Sequence, residues 1–87
     1  MKLNPNFVLR QVADTWVILP IGEETLKFDG MIKLNNSGAL LWKAMENGKS
    51  RNDMADVLTS EYDVSREQAL SDVDSFVEKL RQIGCVQ

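Results

Sequence analysis

Nucleophilic catalysis requires an activated Ser, Cys or Lys beside a base. Among the 87 residues the one cysteine is Cys85, and there is no histidine to activate it or to ligate a metal. Cys85 reads as a small residue packed at the end of a domain. Four carboxylates, Glu67, Asp72, Asp74 and Glu78, could in principle form an acid/base pair or hold a cation. They fall at steps of five, two and four along one segment, which spreads them over a solvated face. Gly22, Gly30, Gly38, Gly48 and Gly84 never cluster into a phosphate-binding loop. The residue types therefore supply no catalytic centre, no metal site and no cofactor site, and the chain reads as a protein that is not an enzyme.

Charge narrows the classes further. Ten basic residues against thirteen acidic ones give a formal charge of −3, the wrong sign for affinity built on neutralising phosphates. The segment from Ser65 to Gln87 has Arg66, Lys79 and Arg81 against Glu67, Asp72, Asp74 and Glu78, so a nucleic-acid-reading helix there would be repelled. No apolar run approaches the ~18 residues of a membrane span, and MKLNPNF lacks the apolar core of a secretory signal. A lone cysteine rules out an internal disulfide and favours a reducing compartment. The expectation is a cytoplasmic protein, one domain over residues 1–87, with no nucleic-acid or membrane partner.

The elements that would position any binding residues follow from periodicity. Met1 to Asn6 reads as a loose lead-in. Phe7 to Val12 reads as a strand with Phe7, Leu9 and Gln11 on one face, and Ala13-Asp14 as a tight turn. Thr15 to Leu19, β-branched and aromatic, reads as a second strand closed by Pro20. Leu26 to Leu34 alternates around Asp29-Gly30 and reads as one interrupted third strand. Asn35-Asn36-Ser37 then offers N-cap side chains, and a helix over about Ala39 to Met45 stops at Asn47-Gly48. Ser50-Arg51-Asn52-Asp53 resembles a capping box and opens a second helix burying Met54, Ala55, Leu58 and Tyr62. A third helix, about Arg66 to Ile83, carries Ala69, Leu70, Val73, Phe76, Val77, Leu80 and Ile83 in one stripe, with Gly84 as its cap and Cys85-Val86 tucking back. The order gives an α+β, winged helix-turn-helix-like fold: a three-stranded antiparallel sheet followed by three helices.

Such a sheet has an edge, and sequential pairing puts the third strand there. An edge strand carries unpaired N–H and C=O groups that can accept an extended peptide. One flank of the last helix, either Leu70 with Val77 or Phe76 with Leu80, would line the other wall of such a groove.

The run from Asp14 to Val86 resembles the PqqD family, small peptide chaperones also called RiPP recognition elements. The resembling pieces are Trp16-Val17-Ile18-Leu19-Pro20, Ile32-Lys33-Leu34-Asn35, Ala39 to Gly48 with its Leu41-Trp42, Ser50 to Tyr62, and Asp72-Val73 with Phe76-Val77, Leu80 and Gly84. The Tyr-Pro-Glu-Gly turn common in members of the pyrroloquinoline-quinone pathway is replaced by Leu19-Pro20-Ile21-Gly22, which points to a relative serving another peptide. The resemblance implies that a leader peptide adds as a fourth strand between the third strand and the last helix. It implies main-chain contacts from Ile32, Lys33 and Leu34, extending through Leu26, Lys27, Phe28 and Met31. It implies a helical wall from Leu70, Val73, Phe76, Val77 and Leu80, with Lys33, Lys79 and Arg81 facing acidic peptide residues. The partners it implies are a ribosomally made precursor peptide and a modifying enzyme, most often a radical S-adenosylmethionine (radical SAM) protein, around a monomer or weak dimer. The competing expectations are a non-catalytic dimerisation module using the same edge and, disfavoured by charge, a DNA-binding winged helix.

Overall fold

A computed structural model describes residues 2–27 and 30–86. Its elements are β1 (Phe7–Val12), β2 (Thr15–Pro20), α1 (Glu24–Lys27), β3 (Ile32–Leu34), α2 (Asn36–Glu46), α3 (Arg51–Glu61) and α4 (Arg66–Ile83). The strands form an antiparallel sheet in the order β1-β2-β3, and the three longer helices follow it, so the fold is α+β as the periodicity implies.

Register explains the faces. Leu9 pairs with Ile18 and Ile18 with Ile32, which puts Phe7, Leu9, Trp16, Ile18, Ile32 and Leu34 on one side of the pleat. That side meets the helices. Phe7 and Ile18 are buried there with Leu41, Trp42 and Met45 of α2, Met54, Ala55 and Leu58 of α3, and Ala69, Val73, Val77 and Leu80 of α4. Lys43 of α2 lies 4.2 Å above the Trp16 ring, so its stem closes the rim of the sheet while its charge meets the aromatic face.

Each long helix starts where a side chain can satisfy its first free N–H groups. Asn35 accepts from the Gly38 N–H, and Ser50 and Asp53 make the reciprocal capping box. Ser65 accepts from the Gln68 N–H, and α4 ends on Gly84 in the left-handed region at φ 97°. Arg51 of α3 holds Asp74 of α4 through two hydrogen bonds of 2.6 and 2.8 Å. Those bonds keep the Asp74 carboxyl below its usual range. Arg66 pairs with Asp56 across the same helix junction.

Three expectations need correction. Residues Leu26 and Lys27 are not strand: they close a one-turn helix, α1, and β3 is only Ile32–Leu34. The reason is local bonding. The Thr25 N–H and hydroxyl both donate to Gly22 O, and the Leu26 N–H donates to Glu23 O, so the backbone is satisfied within the turn. Four alternating residues are too few for a period of two to outweigh such bonds. Tyr62 is not core: it caps α3 in an extended conformation and is 38% exposed. The lead-in is not loose either. Leu3 bridges to Val86, and the Asn4 N–H donates to Cys85 O at 2.8 Å, which ties the two ends of the described chain together.

Candidate functional site

β3 hydrogen-bonds β2 on one side, and among the described residues no strand lies on its other side. Beyond that free side lies a groove of about 520 Å³. One wall is β3 itself, with Ile32, Lys33 and Leu34; the facing wall is α4, with Asp72, Phe76, Lys79 and Leu80. The α4 residues recur at i, i+4, i+7 and i+8, a single helical stripe beside the core stripe of Ala69, Val73 and Val77. Leu41 of α2, Leu58 and Tyr62 at the end of α3, and Val64 also line the groove and give it an apolar patch.

The turn from β3 into α2 closes one end with Asn35, Ser37 and Gly38. A Cβ at Gly38 would meet Leu34 Cβ and Cδ2 at 3.4 Å and Asn35 Oδ1 at 3.2 Å. Glycine thus lets the first turn of α2 lie directly on the strand that forms the edge.

The structure sorts the residues singled out from sequence. Ile32, Lys33, Leu34, Phe76 and Lys79 come together in the groove, and Leu80 also lines it although it is only 1% exposed and belongs to the core. Of the two possible helix flanks, the one facing the groove is Phe76 with Leu80. Val73 and Val77 are instead buried in the core, 0% and 6% exposed, and line a shallow hollow on the other side of α4 with Arg51, Asp74, Glu78 and Arg81. Arg81 donates to Glu78 at 2.6 Å there, away from β3. Leu70, half-buried against the core, does not line the groove. Leu26 on α1 is almost fully exposed, Lys27 is exposed beside it, and Met31, just before β3, is exposed. Phe28 lies outside the described residues.

Sequence reasoning missed Tyr62, Val64, Asn35, Ser37, Gly38, Leu41, Leu58 and Asp72 as groove residues. Asp72 stands four before Phe76, so following the Phe76 flank along the helix would have reached it. Nothing in the sequence marked Tyr62, whose spacing from Leu58 fits a core stripe.

The four carboxylates that might have formed a centre stay apart. Asp74 is held by Arg51, Glu78 by Arg81, and Asp72 accepts from Gln68 at 2.8 Å. Among the described residues no three His, Cys, Asp or Glu side chains are grouped so as to hold a metal ion. Burial, with Glu24 nearby, pushes the Cys85 thiol up to about 11, which makes it a poor nucleophile at neutral pH. Among the described residues no helix is long and apolar enough to cross a membrane.

The family model described as coenzyme PQQ synthesis protein D (PqqD) matches residues 15–86. The chain belongs to the PqqD family. No curated protein matches it significantly. Among solved structures, a lasso peptide synthetase B1 complexed with the leader peptide is similar at 30% identity and a TM-score of 0.83, covering 99% of this chain and 95% of its own. TbiB1 in complex with the TbiA(β) leader peptide superposes with the same TM-score of 0.83 at 24% identity, covering 100% of this chain and 95% of its own, and so shares the fold. Both of these neighbours were solved with a leader peptide bound.

Proposed function

We propose that this PqqD family member is a non-catalytic peptide chaperone of the cytoplasm. Residues 1–87 act as one binding unit that captures the leader of a ribosomally made precursor by strand addition and presents it to a modifying enzyme. The observation that carries the reading is the unpaired side of β3 facing Phe76 and Leu80 across the groove. Likeness to two folds solved with leader peptides supports it.

The peptide lies between β3 and α4. Main-chain groups of Ile32, Lys33 and Leu34 supply hydrogen bonds, while Phe76, Leu80, Leu41, Leu58 and Tyr62 receive apolar side chains. A three-residue edge is short. Hydrogen-bonded and non-bonded residues alternate along an antiparallel strand, so β3 can offer only about two to four outward groups. At a net ~1 kcal/mol each these contribute about 2–4 kcal/mol, and two buried anchors at ~1.5–3 kcal/mol each contribute at least as much.

The partner enzyme is read as a radical SAM protein, a reading carried by the family resemblance alone; the lasso peptide neighbours support a peptide-modifying enzyme in general. The test is titration of ¹⁵N-labelled protein with a synthetic leader peptide such as the one complexed with the lasso peptide synthetase B1 neighbour. Amide shifts should concentrate in Ile32–Leu34 and along the Asp72–Leu80 face of α4. Shifts scattered elsewhere, or none at millimolar peptide, would overturn the proposal. Co-purification of the precursor with a radical SAM enzyme, and loss of that co-purification without this chain, tests the partner.

A further inference from the structure

The sheet has two faces, and the helices cover one. Register sets Val8 beside Leu19, Val17 between Arg10 and Lys33, and Val12 beside Thr15, all on the side of the pleat away from the helices. Val8, Val12, Val17 and Leu19 neither belong to the core cluster nor pack against it, whereas Phe7, Leu9, Ile18, Ile32 and Leu34 on the helix side all do. Val17 is nonetheless buried, flanked in register by the aliphatic stems of Arg10 and Lys33. Val12 is exposed at one end of this apolar strip, and Val8 and Leu19 are half-buried at the other.

The charge of this outer face has one sign. Arg10 and Lys33 are the only charged residues of the three strands, and both are exposed in a chain of formal charge −3. Neither has an ion pair among the described residues, and Arg10 donates instead to the carbonyl of Leu9. A second copy of this chain is therefore a poor occupant, because two-fold packing of the face on itself brings cations together with no anion between them.

The dimensions suit a helix. Adjacent strands lie about 4.8 Å apart, so Arg10 and Lys33 stand roughly 10 Å apart across β2, close to the width of a helix. Successive rows of the face are about 6.8 Å apart along the strands, and apolar residues four apart on a helix advance about 6 Å. We propose that the outer face docks an amphipathic helix of a partner protein whose apolar stripe lies along β2 and whose flanks are acidic. The stripe covers Val8, Leu19, Val17 and Val12, and a carboxylate on each flank meets Arg10 or Lys33. The groove opens elsewhere, between β3 and α4, so the inference stands apart from what the groove holds.

The probe is a phage-displayed three-helix scaffold with one exposed helix face randomised, selected against the immobilised full chain at low salt. Enriched scaffolds are then measured against Phe76→Asp, Arg10→Glu, Arg10→Gln and Val12→Asp; Arg10 and Val12 are exposed, and urea midpoints confirm that these variants fold. The expected result is a class with apolar residues about four apart, flanked by Asp or Glu, that binds Phe76→Asp as it binds the wild type. Arg10→Glu should weaken this class by about three- to tenfold, Arg10→Gln by about threefold and Val12→Asp by about tenfold. A pool made only of scaffolds lost with Phe76→Asp would overturn the docking face and leave the groove reading standing. Scaffolds that depend on Val12 but carry basic or neutral flanks, or that bind both Arg10 variants unchanged, would overturn the acidic partner. No enrichment would overturn the inference as a whole.

Discussion

Two adjacent residues of α4 should respond in opposite ways to the same substitution. Val77 is 6% exposed within the core, whereas Phe76 is half-buried and lines the groove. Val77→Asp forfeits ~1.5–3 kcal/mol of burial and forces a carboxyl among apolar side chains, which costs several kcal/mol more whether it ionises or takes up a proton. The total exceeds about 4 kcal/mol. A domain of 87 residues has roughly 4–13 kcal/mol to lose, so Val77→Asp should be largely unfolded or shifted far down in urea midpoint. Phe76→Asp points its carboxylate into an open groove, so the urea transition should move by only about 1 kcal/mol. Its loss is in binding. Removing one anchor worth ~1.5–3 kcal/mol weakens peptide affinity by about 10- to 150-fold, and the new negative charge adds to that for an acidic guest. Urea unfolding followed through the buried Trp42, together with calorimetric titration of the leader, measures both quantities. A folded Val77→Asp with an unchanged midpoint, or a Phe76→Asp that binds as the wild type does, would refute the division of α4 into a core stripe and a groove stripe.

Other substitutions probe the frame around the groove. Ala13 sits at φ 55° in the β1–β2 turn, a conformation costing a residue with a Cβ ~1–2 kcal/mol. Ala13→Gly relieves it and should raise stability by about 0.5–1 kcal/mol after the entropy of glycine is counted, visible as a higher urea midpoint. Burial raises the Cys85 thiol to about 11, above the ordinary value of 9.0, so the unfolded chain loses its proton first as pH rises. Stability from this group should be complete below pH 9 and decline between pH 9 and 11; Cys85→Ala should remove that part of the slope, and the native thiol should be inert to Ellman's reagent at pH 8. Lys33 sits in the middle of the open edge, so antiparallel self-pairing centred on it would bring two ammonium groups together at a cost of roughly 1–3 kcal/mol. Lys33→Val should therefore increase dimerisation in sedimentation equilibrium, and no change would show that other features keep copies apart.

Much of the frame could be read from residue spacing, and the reasons differ by element. The boundaries of α4 follow from three agreeing signals: Ser65 as cap, a continuous apolar stripe and Gly84 as stop. The capping box Ser50/Asp53 likewise forecast the start of α3. The segment between β2 and β3 misled because Thr25-Leu26-Lys27 alternates by accident of composition, while its backbone bonds close within one turn. Periodicity sees side-chain pattern and is blind to such local bonds. The groove was legible as an edge plus a helix flank. Its third wall was not, since Leu41 of α2 converges with Leu58 and Tyr62 at the end of α3, and each reads alone as core. Val73 and Val77 were placed in the wall for the same reason: a seven-residue apolar stripe announces a buried face without saying where burial ends and the groove begins.

The shortness of β3 decides how such a protein can discriminate. Backbone hydrogen bonds are available to any extended chain, so a long open edge would bind indiscriminately and invite aggregation. With only Ile32–Leu34 exposed, main-chain pairing alone contributes about 2–4 kcal/mol and is too weak to hold a random segment at micromolar concentration. Binding then requires side chains that fill the hollow between Phe76, Leu80, Leu58 and Tyr62, and those are properties of a particular sequence. On the proposed reading the edge fixes the guest's conformation and the helices choose the guest. A truncated leader that keeps its backbone length but loses its apolar anchors should for this reason behave as a non-binder.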